Sequence, residues 1–262
     1  MSMDLYHTYE GVEGFIDKAH DVCQVKGTST PDRIEQIVAA KNAVSELLNT
    51  PRQQQVIMAV RAGDVQKATE AVTDLALWSG LNTDVLTPVD NVAVSACMDE
   101  WGVVVQKNHD AIACEFNRHA ATLGKITSAG QLFNSSDPAD LVRTVEQGGQ
   151  EQFKAVVAQR DACAALTRLA RLMLLNMSLG SFLPLHLPAG IDKPEGRSIM
   201  LAEVCFDPKQ FADNTDMFTA AWKGHDDMRE HDWVAFADYG FIPHARSWNE
   251  VWEASQDTCN QQ

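Results

Sequence analysis

Four dipeptides in this sequence place a helix-capping residue directly before a proline. They are Thr30-Pro31, Thr50-Pro51, Thr87-Pro88 and Asp137-Pro138. A Thr or Asp side chain accepts hydrogen bonds from the free N–H groups of a first helical turn. Proline suits the next position because it has no N–H to leave unbonded. Each dipeptide therefore predicts the start of a helix.

Other signals complete a helical pattern. Ser247 and Glu250 form a capping box, and Thr87 and Asp90 approximate another. Four glycines stand where left-handed residues would end helices: Gly80, Gly124, Gly180 and Gly224. The predicted helices lie at about 3–25, 31–48, 51–62, 65–79, 88–123, 138–179, 208–223, 226–238 and 248–256. We expect a mainly α, bundle-like fold, with the longest helix broken at Gly148-Gly149.

The composition changes near residue 180. Prolines and glycines in 181–196 predict a linker between a helical body at 1–180 and a smaller, mostly helical lobe at 197–262. Ten of the nineteen aromatic residues lie from Phe206 onward, so the lobe is aromatic-rich. From residue 207 there are eleven acids and four bases, a net charge of −7. The segment 198–206 fits either a strand or a buried turn of helix.

The charge of the whole chain restricts its partners. Its 36 acidic and 21 basic residues give −15, which repels phosphate backbones and anionic lipid, so nucleic acid could bind only at a local basic groove. The first residues lack the features of a secretory signal, and the most apolar run is interrupted by Arg168, Arg171 and Pro184. We expect a soluble cytoplasmic protein with no membrane partner.

The predicted helix 88–123 carries polar residues along its apolar stripe. Asn108, Glu115 and His119 lie within or beside that stripe, with His109 at its edge. Burying a carboxylate and an imidazole costs on the order of a few kcal/mol unless they pair or bind something. One interpretation is a satisfied Glu115–His119 pair, with Asn108 fixing the helix register. The other is a site in which Glu115 and His119 bind a divalent metal or act in catalysis.

The stretch GHDDMREHDW, at 224–233, is a second candidate for a metal site. Only Asp227 and His231, four residues apart on one side of a helix, could bind one ion together, and two protein ligands are too few for zinc without help from elsewhere. The alternative is a solvated charged face opposite Trp222 and Trp233.

Three arginines form the third candidate. Arg160, Arg168 and Arg171 emerge on the least apolar side of a predicted buried helix. Either they pair with acidic residues of this chain, or they form a local groove for an anion or a nucleic acid.

The sequence contains none of the common nucleotide-binding, hydrolase, metalloprotease, EF-hand or kinase motifs. The leading hypothesis is a non-enzymatic interaction or assembly subunit that binds other proteins or itself and needs no cofactor. Its candidate contact residues in the lobe are Trp222, Trp233, Trp248 and Trp252. The alternatives are a metal-dependent enzyme or metal-binding protein built on Glu115 and His119, and a coat-like subunit that holds nucleic acid through the three arginines.

Overall fold

The computed structural model describes residues 11–49, 52–135, 137–180, 204–206 and 230–259. These residues contain no β-strand, which confirms the mainly α fold. Seven helices have described bounds: α1 Gly11–Cys23, α2 Asp32–Asn49, α3 Arg52–Arg61, α4 Val65–Ser128, α5 Pro138–Leu179, α6 Glu230–Asp238 and α7 Trp248–Cys259.

Helix α4 is longer than predicted. It runs without a break through Gly80, Pro88 and Gly124, so the predicted helix end at Gly80, the start at Thr87-Pro88 and the end at Gly124 are wrong. Asp90 does not cap α4; it accepts a hydrogen bond from the Val12 N–H in the first turn of α1 at 3.4 Å and lies 3.5 Å from Lys41 Nζ. A proline inside a helix removes one backbone hydrogen bond, and the turns on both sides of Pro88 nevertheless stay helical.

Helix α5 follows its sequence signals closely. Asp137 caps its first turn by accepting a hydrogen bond from the Ala139 N–H at 2.8 Å. Gly149 interrupts the helix with a φ of 66°, which confirms the predicted break. Gly180 ends the helix as predicted, although its φ of −89° is not left-handed.

The chain forms two compact units, which we describe separately. The first comprises Met1–His20 and Thr30–Val103. Its described core contains Phe15 and Trp101, whose rings meet edge to face with centroids 6.2 Å apart. Gly11 has a φ of 75°, and a Cβ there would collide with the Asp90 carboxylate. The start of α1 therefore requires glycine.

The second unit comprises Asp21–Ser29 and Val104–Gln262. Trp233 of α6 lies in its core, where its Nε1 donates to Thr167 Oγ1 of α5 at 2.9 Å. The Trp233 ring contacts Phe116 of α4 and stacks on Phe206. Aromatic residues of the predicted lobe are thus buried against α4 and α5. The predicted linker 181–196 lies outside the described residues, so that boundary stays a prediction.

The sequence leaves the segment 198–206 as either a strand or a turn of helix. The structure describes its last three residues, 204–206, of which Val204 and Cys205 are helical. The predicted helix 208–223 lies outside the described residues. In the part of the chain that is described, one helix, Ala139–Leu179, is long and apolar enough to cross a bilayer. Because 56% of its most apolar window is buried inside the protein, it is weak evidence for a membrane span.

Replacing Leu169 with Ala should destabilise the protein strongly. Leu169 is fully buried in α5, and truncating a buried leucine costs about 2–5 kcal/mol because a cavity remains. Urea unfolding followed by circular dichroism measures the change. Val142→Ala on the same helix is the control, because Val142 is exposed and its truncation should cost less than about 0.5 kcal/mol. Equal losses in both variants would contradict the packing described for α5.

Candidate interaction surface

Glu115 and His119 contact each other, but they also contact an arginine. Glu115 Oε1 lies 3.4 Å from His119 Nε2. The Arg118 guanidinium bonds Glu115 Oε2 at 3.1 Å and lies 3.1 Å from His119 Nε2. The arginine lowers the pKa of Glu115, so the carboxyl stays ionised and is not adjusted for proton transfer near neutral pH. The guanidinium also stands where a shared metal ion would have to lie.

The described side chains contain no group of three or more histidine, cysteine and acidic residues that could hold a metal ion. Asp227 lies outside the described residues. His231 lies in α6, but its side chain is not among those described. The pair Asp227 and His231 therefore stays a prediction.

Asn108 is buried as expected, but its partner lies far away in the sequence. Its Oδ1 accepts from the Ser29 N–H and its Nδ2 donates to the Ser29 carbonyl, both at 2.9 Å. Asn117 binds Ala245 in the same way. Its Oδ1 accepts from the Ala245 N–H at 2.7 Å and its Nδ2 donates to the Ala245 carbonyl at 2.9 Å. Each carboxamide thus satisfies both backbone groups of one non-helical residue.

Besides Asn117, two further α4 side chains form hydrogen bonds with the segment 244–248. His109 is fully buried, and its Nε2 lies 3.0 Å from the Arg246 carbonyl. Asp110 accepts from the Trp248 N–H at 2.7 Å, which caps α7 from outside its own sequence. The helical pattern ranks His109 as a weak candidate and does not mark Asp110 or Asn117, because their partners lie more than a hundred residues away.

Of the three candidate tryptophans that the structure describes, two are buried. Trp233 and Trp248 are buried in their own unit, so they are removed from the predicted interaction surface. Trp252 is exposed on α7, and Trp222 lies outside the described residues. At Trp233 and Trp248, the aromatic residues of the lobe therefore form core and not a contact surface.

The most unusual surface lies in the first unit, on the turn that joins α3 to α4. None of the described side chains at 55–75 is fully buried. Five of them are large, apolar and 49–79% exposed: Ile57, Met58, Val60, Val65 and Val72. We call residues 55–75 the α3–α4 hairpin. Isolated exposed apolar residues are ordinary, but a concentrated set marks a contact surface.

The turn of the α3–α4 hairpin is well formed. The Asp64 N–H donates to the Ala59 carbonyl and the Gly63 N–H donates to the Val60 carbonyl. These two hydrogen bonds are those of a Schellman motif. Gly63 has a φ of 69°, and the Asp64 carboxylate then caps α4 through the Lys67 N–H at 3.0 Å. These bonds hold the apolar side chains on a defined backbone.

The α3–α4 hairpin contains two open grooves. One, of about 410 Å³, is lined mainly by small and apolar side chains, including Ala59, Val65, Ala68 and Val72. The other, of about 710 Å³, includes Met58 with the charged residues Lys67 and Glu70. The sequence pattern predicts helices here but not this surface, because neighbouring elements decide whether a helical valine or isoleucine becomes buried.

The three arginines lie where the sequence placed them, on the solvent side of a largely buried helix. Arg160, Arg168 and Arg171 are all exposed. Among the described residues, none of the three forms an ion pair. The predicted pairing with acids of this chain is therefore not seen in the part that the structure describes.

Comparisons of this chain with protein-family models, with curated proteins and with solved structures find no match.

His109 should make folding pH-dependent. Burial lowers its pKa below the ordinary 6.5, more than the Arg246 carbonyl and Asp110 raise it, with the Arg246 charge also lowering it. Below about pH 6.5 the unfolded chain therefore takes up a proton that the folded chain resists. Stability is fully present above this pH and is lost as the pH falls toward the lowered folded pKa.

Urea unfolding at a series of pH values from above about 6.5 downward measures this loss of folding stability. His109→Gln is the matched variant, because Gln can still donate to the Arg246 carbonyl but does not titrate. The difference in stability between wild type and His109→Gln should shift against the wild type as the pH falls. Parallel stability curves would contradict a role for His109 in the acid response.

Proposed function

We propose that this protein is a non-enzymatic helical subunit that binds protein through the α3–α4 hairpin. The observation that carries this proposal is the set of five exposed apolar side chains on a capped helical turn. Removing such a side chain from water contributes on the order of 1 kcal/mol when half or more of it is exposed. The hairpin presents several of them together.

The charge pattern supports a second copy of the same chain as the partner. The α3–α4 hairpin, residues 55–75, contains two bases, Arg61 and Lys67, and three acids, Asp64, Glu70 and Asp74, so its net charge is only −1. Two copies carrying −15 each repel one another at most other surfaces. Contact through this apolar hairpin, with a net charge of −1 in each copy, brings little like charge together.

The chemistry of the described residues offers less support for catalysis. Arg118 occupies the position between Glu115 and His119 that a metal ion would need. Burial, together with the nearby Glu100 charge, raises the pKa of the Cys97 thiol to about 11, so this thiol stays protonated at neutral pH.

Light scattering of purified protein tests the proposed self-association. The wild type should show a stable multiple of 28.9 kDa at high concentration. The double variant Met58→Glu, Val65→Glu should shift toward 28.9 kDa, because it places charge in the apolar contact. Both side chains are exposed, so the variant should keep its helical circular dichroism.

The control is Val142→Glu, which adds the same charge at an exposed position of α5 and should leave the mass unchanged. A wild-type mass of 28.9 kDa at every concentration would overturn self-association. If the double variant keeps the same oligomer mass as the wild type, the α3–α4 hairpin is not the self-association contact.

A further inference from the structure

Five exposed side chains of α5 line one face of the helix. At about 100° per residue, positions 153, 157, 160, 168 and 171 fall within roughly 80° of one another. Phe153 is 53% exposed, and Val157, Arg160, Arg168 and Arg171 are exposed beside it on this face. We call these five residues the α5 arginine stripe. At about 1.5 Å per residue it extends for roughly 27 Å along the helix.

The arginines of this stripe differ from three other exposed arginines in the described part of the chain. Arg33 pairs with Glu100, Arg118 with Glu115, and Arg143 with Asp140. Within the described part of the chain, Arg160, Arg168 and Arg171 have no such carboxylate partner. In a chain with 36 acids and 21 bases, guanidiniums without an acid partner are available for an external anion.

The local charge agrees with an anionic ligand. Residues 151–179 contain four bases, Lys154, Arg160, Arg168 and Arg171, and two acids, Glu151 and Asp161, so their net charge is +2. Glu151 pairs with Lys154 at 3.0 Å. The chain as a whole carries −15 and repels a phosphate backbone at long range, so binding here depends on direct contact between phosphates and these guanidiniums.

We propose that the α5 arginine stripe binds single-stranded nucleic acid. The three guanidiniums bind phosphates, and the exposed ring of Phe153 stacks on a base. A duplex keeps its bases stacked on each other and offers nothing to Phe153, whereas a single strand offers both a phosphate backbone and free base faces. An acidic peptide would match the guanidiniums but not the aromatic ring, so the combination favours a single strand.

Fluorescence anisotropy with a labelled oligouridine of about twenty nucleotides tests this proposal. The full-length wild type should bind at low salt. The triple variant Arg160→Ala, Arg168→Ala, Arg171→Ala should bind at least tenfold more weakly. Its slope of log affinity against log salt should fall by about 2, since each phosphate contact contributes about 0.7 for a single strand.

The matched control is the triple variant Arg33→Ala, Arg118→Ala, Arg143→Ala. It removes the same total charge from exposed arginines that already have carboxylate partners, so it should change the affinity much less. Phe153→Ala should weaken binding about tenfold and leave the salt slope unchanged, because stacking releases no counterions. The Met58→Glu, Val65→Glu variant should still bind, which separates this activity from self-association.

Several results would overturn the proposal. These are no binding by the wild type at low salt, equal losses in the two triple variants, or tighter binding of a duplex of the same length. A labelled polyglutamate peptide that binds more tightly than oligouridine, with the same dependence on Arg160, Arg168 and Arg171, would instead assign the stripe to an acidic protein segment.

Discussion

Buried backbone that is not helical has to find hydrogen-bond partners, and this requirement shapes the second unit. Among the described residues there is no sheet to supply them. Carboxamide side chains supply them instead: Asn108 binds both backbone groups of Ser29, Asn117 those of Ala245, and Gln159 those of Phe133. A single carboxamide has one acceptor and one donor group placed to match one residue of extended backbone. The loops are fastened to the helices in this way.

Local signals in the sequence were sufficient for much of the helical pattern. The capping residue Asp137, the break at Gly149 and the capping box of Ser247 and Glu250 all act within a few residues, so the sequence alone predicts them. The continuous α4 was not predicted, because Thr87-Pro88 and Asp90 resemble a helix start. In the structure Asp90 instead serves Val12 and Lys41, which lie far away in the sequence.

The candidate sites show the same division. The spacing of Glu115 and His119 predicted their contact, but it could not show that Arg118 joins them. The stripe position of Asn108 predicted its burial but not its partner. Exposure of the α3–α4 hairpin depends on which elements fail to cover it, and no local pattern contains that information. Local patterns therefore predict individual polar residues more readily than they predict which surfaces stay exposed.

The segment 244–248 shows how distant parts of the second unit are coupled. Its five consecutive N–H groups are all bonded: those of 244 and 246 to carbonyls at 204–205, and the others to the side chains of Asn117, Glu250 and Asp110. Four of these five acceptors lie outside the C-terminal segment. Solvent can reach the amides of 244, 245, 246 and 248 only when the segment leaves α4 or the residues at 204–205, whereas the exposed Ser247 amide is held locally by Glu250. Hydrogen exchange at these four residues should therefore proceed as one cooperative opening, with nearly equal protection, and not as gradual fraying from the chain end.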